Sequence, residues 1–129
     1  MTTKIAVVDD AERMAEVLAM VLRAAGHHAT AYREPAVFLD ELRAEPDRFD
    51  VVLTDLKMPQ IDGLELLRRA LAVAPELPII LVTAHGTIAT AIEAMKHGAF
   101  DYLQKPVDND KCRATVQRAL QHSALAREN

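Results

Sequence analysis

Two apolar runs in this chain end in carboxylates: Ile5-Ala6-Val7-Val8 leads into Asp9 and Asp10, and Val51-Val52-Leu53-Thr54 leads into Asp55. If both runs are parallel strands of one sheet, their C-terminal ends share an edge. The three carboxylates then meet in the crevice where open α/β sheets bind ligands. Carboxylates crowded together repel one another, and a bound divalent cation relieves the repulsion. Thr83 and Lys105 follow two further strand-like runs and belong to the same edge. A hydroxyl and an ammonium beside three acids make little sense for storing a metal. They suit phosphoryl transfer, in which a nucleophile attacks, a hard cation holds phosphate oxygens and fixed donors bind the spread negative charge.

Asp55 stands alone at its strand end and is the candidate nucleophile, hence an aspartyl-phosphate site. Asp9 and Asp10 form the platform for Mg²⁺, which keeps several waters and needs only one or two carboxylates plus a backbone carbonyl, expected from Lys57. Each residue also fits a plainer role. Asp10 precedes a helix and suits an N-cap; Asp55, with Pro59 and Asp62-Gly63 after it, suits a turn start. Thr83 suits a strand-end hydroxyl bonding its own backbone, and Lys105 a solvated lysine. Five matching residue types at four strand ends favour the functional reading of the set.

Short β-branched runs alternating with helical periods are the mark of a parallel sheet with crossover helices. Strands are expected over residues 4–8, 29–32, 51–55, 78–83 and 101–104, and helices over 11–25, 35–44, 63–74, 88–97 and 111–126. Met14, Val17, Leu18, Val21 and Leu22 make the apolar stripe of the first helix, which Gly26 stops. Pro35 and Asp62-Gly63 mark helix starts; Pro75 and Gly98 mark stops. The fourth helix carries Ile88, Ala89, Ala91, Ile92, Ala94 and Met95, more than one buried face absorbs, so some apolar surface is expected outside.

The 129 residues suit one domain, and half of them are hydrophobic, which argues for a packed fold. A net charge of -4 without a basic run disfavours direct nucleic-acid binding. The first apolar run is too short for a signal peptide or membrane span, so a soluble chain without membrane contact is expected, and the single cysteine points to a reducing cytoplasm. Cys112 stands alone and is read as an inert helix residue. His27 and His28 are expected in a loop, and His85, His97 and His122 lack ligand spacing to one another, which opposes a transition-metal site. His85, two residues beyond Thr83, is expected near the pocket entrance. A dinucleotide-binding turn is disfavoured because acids stand where glycines would hold pyrophosphate.

Val7-Val8-Asp9-Asp10, Leu53-Thr54-Asp55-Leu56-Lys57-Met58-Pro59 with Asp62-Gly63, Val82-Thr83-Ala84, and Gly98-Ala99-Phe100-Asp101-Tyr102-Leu103-Gln104-Lys105-Pro106 together resemble the receiver domain of two-component response regulators. The resemblance spans essentially the whole chain. It implies a doubly wound, flavodoxin-like α/β fold with a five-stranded parallel sheet in the order 2-1-3-4-5. It also implies that Asp55 takes a phosphoryl group from a phosphohistidine of a sensor histidine kinase. By the same resemblance Asp10 binds Mg²⁺ directly, Asp9 acts largely through water, Thr83 and Lys105 contact phosphoryl oxygens, and the Lys105–Pro106 peptide is cis. Tyr102 is the aromatic residue that moves inward when Thr83 is drawn to the phosphoryl group.

Thr83-Ala84-His85-Gly86 and Ala94-Met95-Lys96-His97-Gly98-Ala99 look most like receivers of the nitrogen-regulation and dicarboxylate-transport regulators. Such proteins usually continue into an AAA+ ATPase and a DNA-binding domain acting with sigma-54 polymerase. Residues 1–122 are accordingly expected to form the receiver and 123–129 to begin a linker to an output domain. The expected partners are the kinase, the output domain and a second copy through the face of the fourth helix, fifth strand and fifth helix. A stand-alone receiver or phosphorelay intermediate is the alternative. An aspartyl-phosphate phosphohydrolase is a weaker one, because Asp9-Asp10-Ala11 lacks the Asp-x-Asp pattern on the first strand.

Overall fold

The alternation of apolar runs and helical periods becomes five βα units. They are β1 (Lys4–Val8), α1 (Glu12–Ala24), β2 (His28–Tyr32), α2 (Pro35–Ala44), β3 (Val51–Asp55), α3 (Gly63–Val73), β4 (Ile79–Thr83), α4 (Ile88–Lys96), β5 (Asp101–Gln104) and α5 (Asn109–Glu128). The computed structural model describes residues 3–84 and 88–128. His85 therefore lies outside the described residues. All strand pairs are parallel, in the order β2-β1-β3-β4-β5. This is the doubly wound order that the resemblance implies.

Strand side chains alternate between two cores. Ala6, Val8, Val52, Ile79 and Leu81 face Phe38, Leu39 and Leu42 of α2 and Leu66, Leu67 and Ala70 of α3. Ile5, Val7, Val51, Leu53, Ile80, Val82 and Leu103 face Ala15, Leu18, Ala19 and Leu22 of α1 and Cys112, Val116 and Ala119 of α5. Strands buried on both faces read as continuous apolar runs, which is why β3 and β4 show no polar alternation. Each fully buried Leu, Ile or Phe contributes roughly 1.5–3 kcal/mol relative to exposure. The chain leaves β1 toward β2 on one side and returns as β3 on the other, so a crevice opens at the C-terminal ends of β1 and β3.

Several expectations are corrected by the packing. Val17 is 52% exposed, and it is Ala15, Leu18, Ala19 and Leu22 that face the sheet. Alanines permit a close approach of helix to sheet, and a stripe drawn only through large residues was rotated away from them. His28 belongs to β2 rather than a loop, its amide donating to the Thr3 carbonyl at 2.8 Å. α5 begins at Asn109, before Lys111, because the Asp108 carboxylate accepts the Lys111 amide at 3.1 Å as a cap does. On α4, Ala91 and Ala94 are buried while Ile92 is 50% and Met95 37% exposed, the surplus apolar surface expected from its composition.

Candidate functional site

β1 delivers Asp9 and Asp10 just past its last residue, and β3 ends on Asp55 itself. The Asp9 amide donates to the Tyr32 carbonyl at 3.0 Å, extending the β1–β2 ladder by one residue and fixing the backbone that carries both acids. Asp9 Oδ1 accepts the Ala11 amide at 2.9 Å. Ala11 is the N-cap of α1 and makes no side-chain cap bond, so Asp10 is not tied down as a cap. Asp9 is 1% exposed, Asp55 8% exposed, and Asp10 open to solvent.

One oxygen from each of Asp9, Asp10 and Asp55 lies within 4.8 Å of the others. Lys105 Nζ reaches into this group, 3.3 Å from Asp55 Oδ1 and 3.5 Å from Asp9 Oδ2. Three carboxylates thus face one ammonium, leaving an excess of negative charge. Burial, first of all, raises the Asp9 pKa above the ordinary 3.8. The charges of Asp55 and Asp10 push it the same way, while the Ala11 amide and Lys105 oppose. Asp9 Oδ2 is buried without a hydrogen-bond donor among the described residues. An all-oxygen, acid-rich donor set of this kind fits a hard divalent cation and not a soft one.

Thr83 ends β4 fully buried, its Oγ1 without a hydrogen-bond partner among the described residues, and pairs in register with Gln104 of β5. Its carbonyl accepts the Lys105 amide at 2.7 Å, and the following Lys105–Pro106 peptide is cis. Tyr102 is half-buried and packs against the core on the α2–α3–α4 side of the sheet. Lys57 lies on the loop after Asp55 with its side chain exposed. The crevice therefore brings Asp9, Asp10, Asp55 and Lys105 together, places Thr83 at the adjacent strand end, and holds Tyr102 back within β5. Sequence reasoning did not anticipate the backbone groups that hold Asp9, the Tyr32 carbonyl and the Ala11 amide, because backbone groups leave no mark in residue type.

A doubly wound parallel sheet with a cluster of three carboxylates at its switch point defines the class. Residues 5–117 match the family described as response regulator receiver domain, and the chain belongs to that family. It is 39% identical over 128 residues to the transcriptional regulatory protein FixJ of Bradyrhizobium diazoefficiens, covering 98% of this chain and 62% of that protein. It is 41% identical over 116 residues to the DNA-binding transcriptional regulator NtrC of Escherichia coli K12, covering 90% of this chain and 24% of that protein. Among solved structures, a response regulator receiver domain protein from Clostridium thermocellum superposes with a TM-score of 0.92 at 31% identity, covering 96% of this chain and 98% of that one. The likeness to nitrogen-regulation receivers expected from the motifs is present in the match to NtrC. The chain spans less than two thirds of the length of FixJ and about a quarter of that of NtrC. Among the described residues no helix is long and apolar enough to cross a membrane.

Proposed function

We propose that this receiver is a phosphorylation switch in which Asp55 accepts a phosphoryl group from a sensor histidine kinase, with Mg²⁺ held by Asp9, Asp10, Asp55 and the Lys57 carbonyl. The observation that carries the reading is the placement of Lys105 Nζ between Asp55 and Asp9 beside a three-carboxylate cluster. Bound Mg²⁺ supplies neutralisation of the phosphoryl oxygens during transfer. An Asp55 carboxylate oxygen forms the new bond to phosphorus as the P–N bond to the kinase histidine breaks. The electron pair stays on the imidazole nitrogen, which takes up a proton. Lys105 and the Thr83 hydroxyl then hold phosphoryl oxygens, and Tyr102 turns inward as Thr83 moves. Support for the Thr83 role comes from its buried, unpartnered hydroxyl, which has a bond to gain.

The domain is a phosphoacceptor that promotes its own phosphorylation and dephosphorylation and acts on no outside metabolite. Residues 1–122 form the receiver, and the segment 123–129, which continues α5 as helix to Glu128, leads toward an output domain. Support for an output domain comes from the greater length and regulatory names of the relatives FixJ and NtrC. The likeness to NtrC favours an AAA+ transcription activator as the output, working in the cytoplasm. The exposed Ile92 and Met95 favour the α4–β5–α5 face as the surface that signals to that domain or to a second copy.

Incubation with acetyl phosphate, with and without Mg²⁺, tests the reading. A switch accumulates one labile acyl phosphate per chain only when Mg²⁺ is present. Rapid turnover of acetyl phosphate without accumulation would instead mark a hydrolase.

A further inference from the structure

Gly63 has no room for a side chain, and what closes the space is the end of the strand that carries Asp55. A Cβ there would lie 2.5 Å from the Asp55 carbonyl oxygen and 2.8 Å from Leu56 Cα, backbone atoms that cannot swing aside as a side chain does. The Gly63 amide donates to the Leu56 carbonyl at 2.8 Å, so the first turn of α3 is bonded to the same short stretch it presses on. Between the two contacts the chain makes a closed loop. The Ile61 amide reaches back to the Pro59 carbonyl at 2.8 Å, Gln60 has a positive φ of 69°, and Asp62 caps α3 through the Glu65 amide at 2.9 Å. On the other side, the Leu56 amide donates to the Val82 carbonyl at 3.1 Å, next to Thr83.

We infer that Gly63 is a positioning residue for the metal site: its bare Cα sets how closely α3 seats on Asp55 and Leu56, and so where the Asp55 carboxylate and the loop bearing Lys57 stand relative to Asp9 and Asp10. The inference rests on the reading of the acidic cluster as a Mg²⁺ site. A methyl at position 63 must displace either α3 or the strand end. α3 is anchored by Leu66, Leu67 and Ala70, each fully buried, whereas the strand end borders the open crevice and gives way. A shift there moves one carboxylate of three, and misplacing a group that orients metal ligands costs affinity by about 10- to 100-fold.

Gly98 supplies the control. It also resists substitution, with φ +109° and a Cβ that would meet Leu71 Cδ1 at 2.8 Å, but it precedes β5 at the opposite edge of the sheet. Titration calorimetry with MgCl₂ on wild type, Gly63→Ala and Gly98→Ala, each checked for folding by circular dichroism, tests the inference. The expected result is a Kd for Mg²⁺ about tenfold or more weaker in Gly63→Ala, with Gly98→Ala like wild type. A folded Gly63→Ala with wild-type affinity overturns the positioning role alone; no Mg²⁺ uptake by wild type overturns the metal reading and this inference with it. Should Gly63→Ala not fold, hydrogen exchange on wild type decides. Linkage requires saturating Mg²⁺ to slow exchange of the Gly63 amide about fivefold or more beyond any change at the Gly98 amide, and equal changes at both overturn the inference.

Discussion

The carbonyl of Thr83 accepts the backbone amide of Lys105 at 2.7 Å, so the hydroxyl and the ammonium proposed to hold the phosphoryl group are tied to each other through the β4–β5 ladder. Movement of one strand end is felt by the other. Lys105→Ala should therefore keep some phosphorylation, at a rate lowered by about 10- to 100-fold, and lose the response of the output. The check is reporter output from a full-length protein carrying the variant, alongside its phosphorylated fraction. Wild-type output from Lys105→Ala would contradict the coupling.

Asp10 is the exposed member of the acidic cluster and caps no helix. Its charge is free for a cation. Asp10→Asn should weaken Mg²⁺ by about tenfold or more with little change in thermal stability, measured by calorimetry and thermal melts.

The raised pKa of Asp9 makes a pH prediction whose sign opposes the usual one for acids. Above the ordinary 3.8, the unfolded chain has already lost the Asp9 proton while the folded protein still binds it, so stability from this group falls as pH rises through that window. In the metal-free protein the penalty grows with pH until the folded group has ionised. Asp9→Asn should then melt higher than wild type at pH 7 without Mg²⁺, and the gap should shrink toward pH 4. Mg²⁺ reverses the order by favouring the ionised form, and its affinity for wild type should drop as pH falls and protons compete. An Asp9→Asn variant that melts lower than wild type under metal-free conditions at pH 7 would count against the crowding of charge described here.

Phosphorylation is expected to draw the Thr83 hydroxyl toward the new acceptor oxygens and open space for Tyr102, repacking α4. The small buried face of α4, Ala91 and Ala94, gives it little to hold it in one place. Beryllofluoride, a mimic of the aspartyl phosphate, should change hydrogen exchange across residues 88–102, and Thr83→Ala should reduce that change by at least about half. Ile92→Asp, on the exposed side, should leave the exchange change intact and reduce partner binding or self-association. Exchange differences confined to the loops around Asp9, Asp55 and Lys105 would rule out this route.

Much of the site was legible because it is written in side-chain types at strand ends. Asp9, Asp10, Asp55, Thr83 and Lys105 each follow an apolar run, and a parallel sheet has only one edge to which those ends can go. The strand order was not readable from periodicity and came through the family resemblance. The features missed are those that depend on backbone or on small residues. The face of α1 turns on Ala15 and Ala19, which carry little weight in an apolar stripe; the seat of Gly63 on Asp55 turns on an absent atom; and the hold on Asp9 comes from the Tyr32 carbonyl and the Ala11 amide.

Asp55, held 3.3 Å from Lys105 Nζ, is the residue proposed to become phosphorylated. The direct measurement is intact-mass and peptide mapping of wild type and Asp55→Asn after incubation with acetyl phosphate and Mg²⁺, with borohydride trapping of the acyl phosphate. The expected result is a single modified residue, Asp55, in wild type and no acyl phosphate in a folded Asp55→Asn. Modification of Asp9 or Asp10 in wild type, or labelling of Asp55→Asn at the wild-type rate, would contradict it.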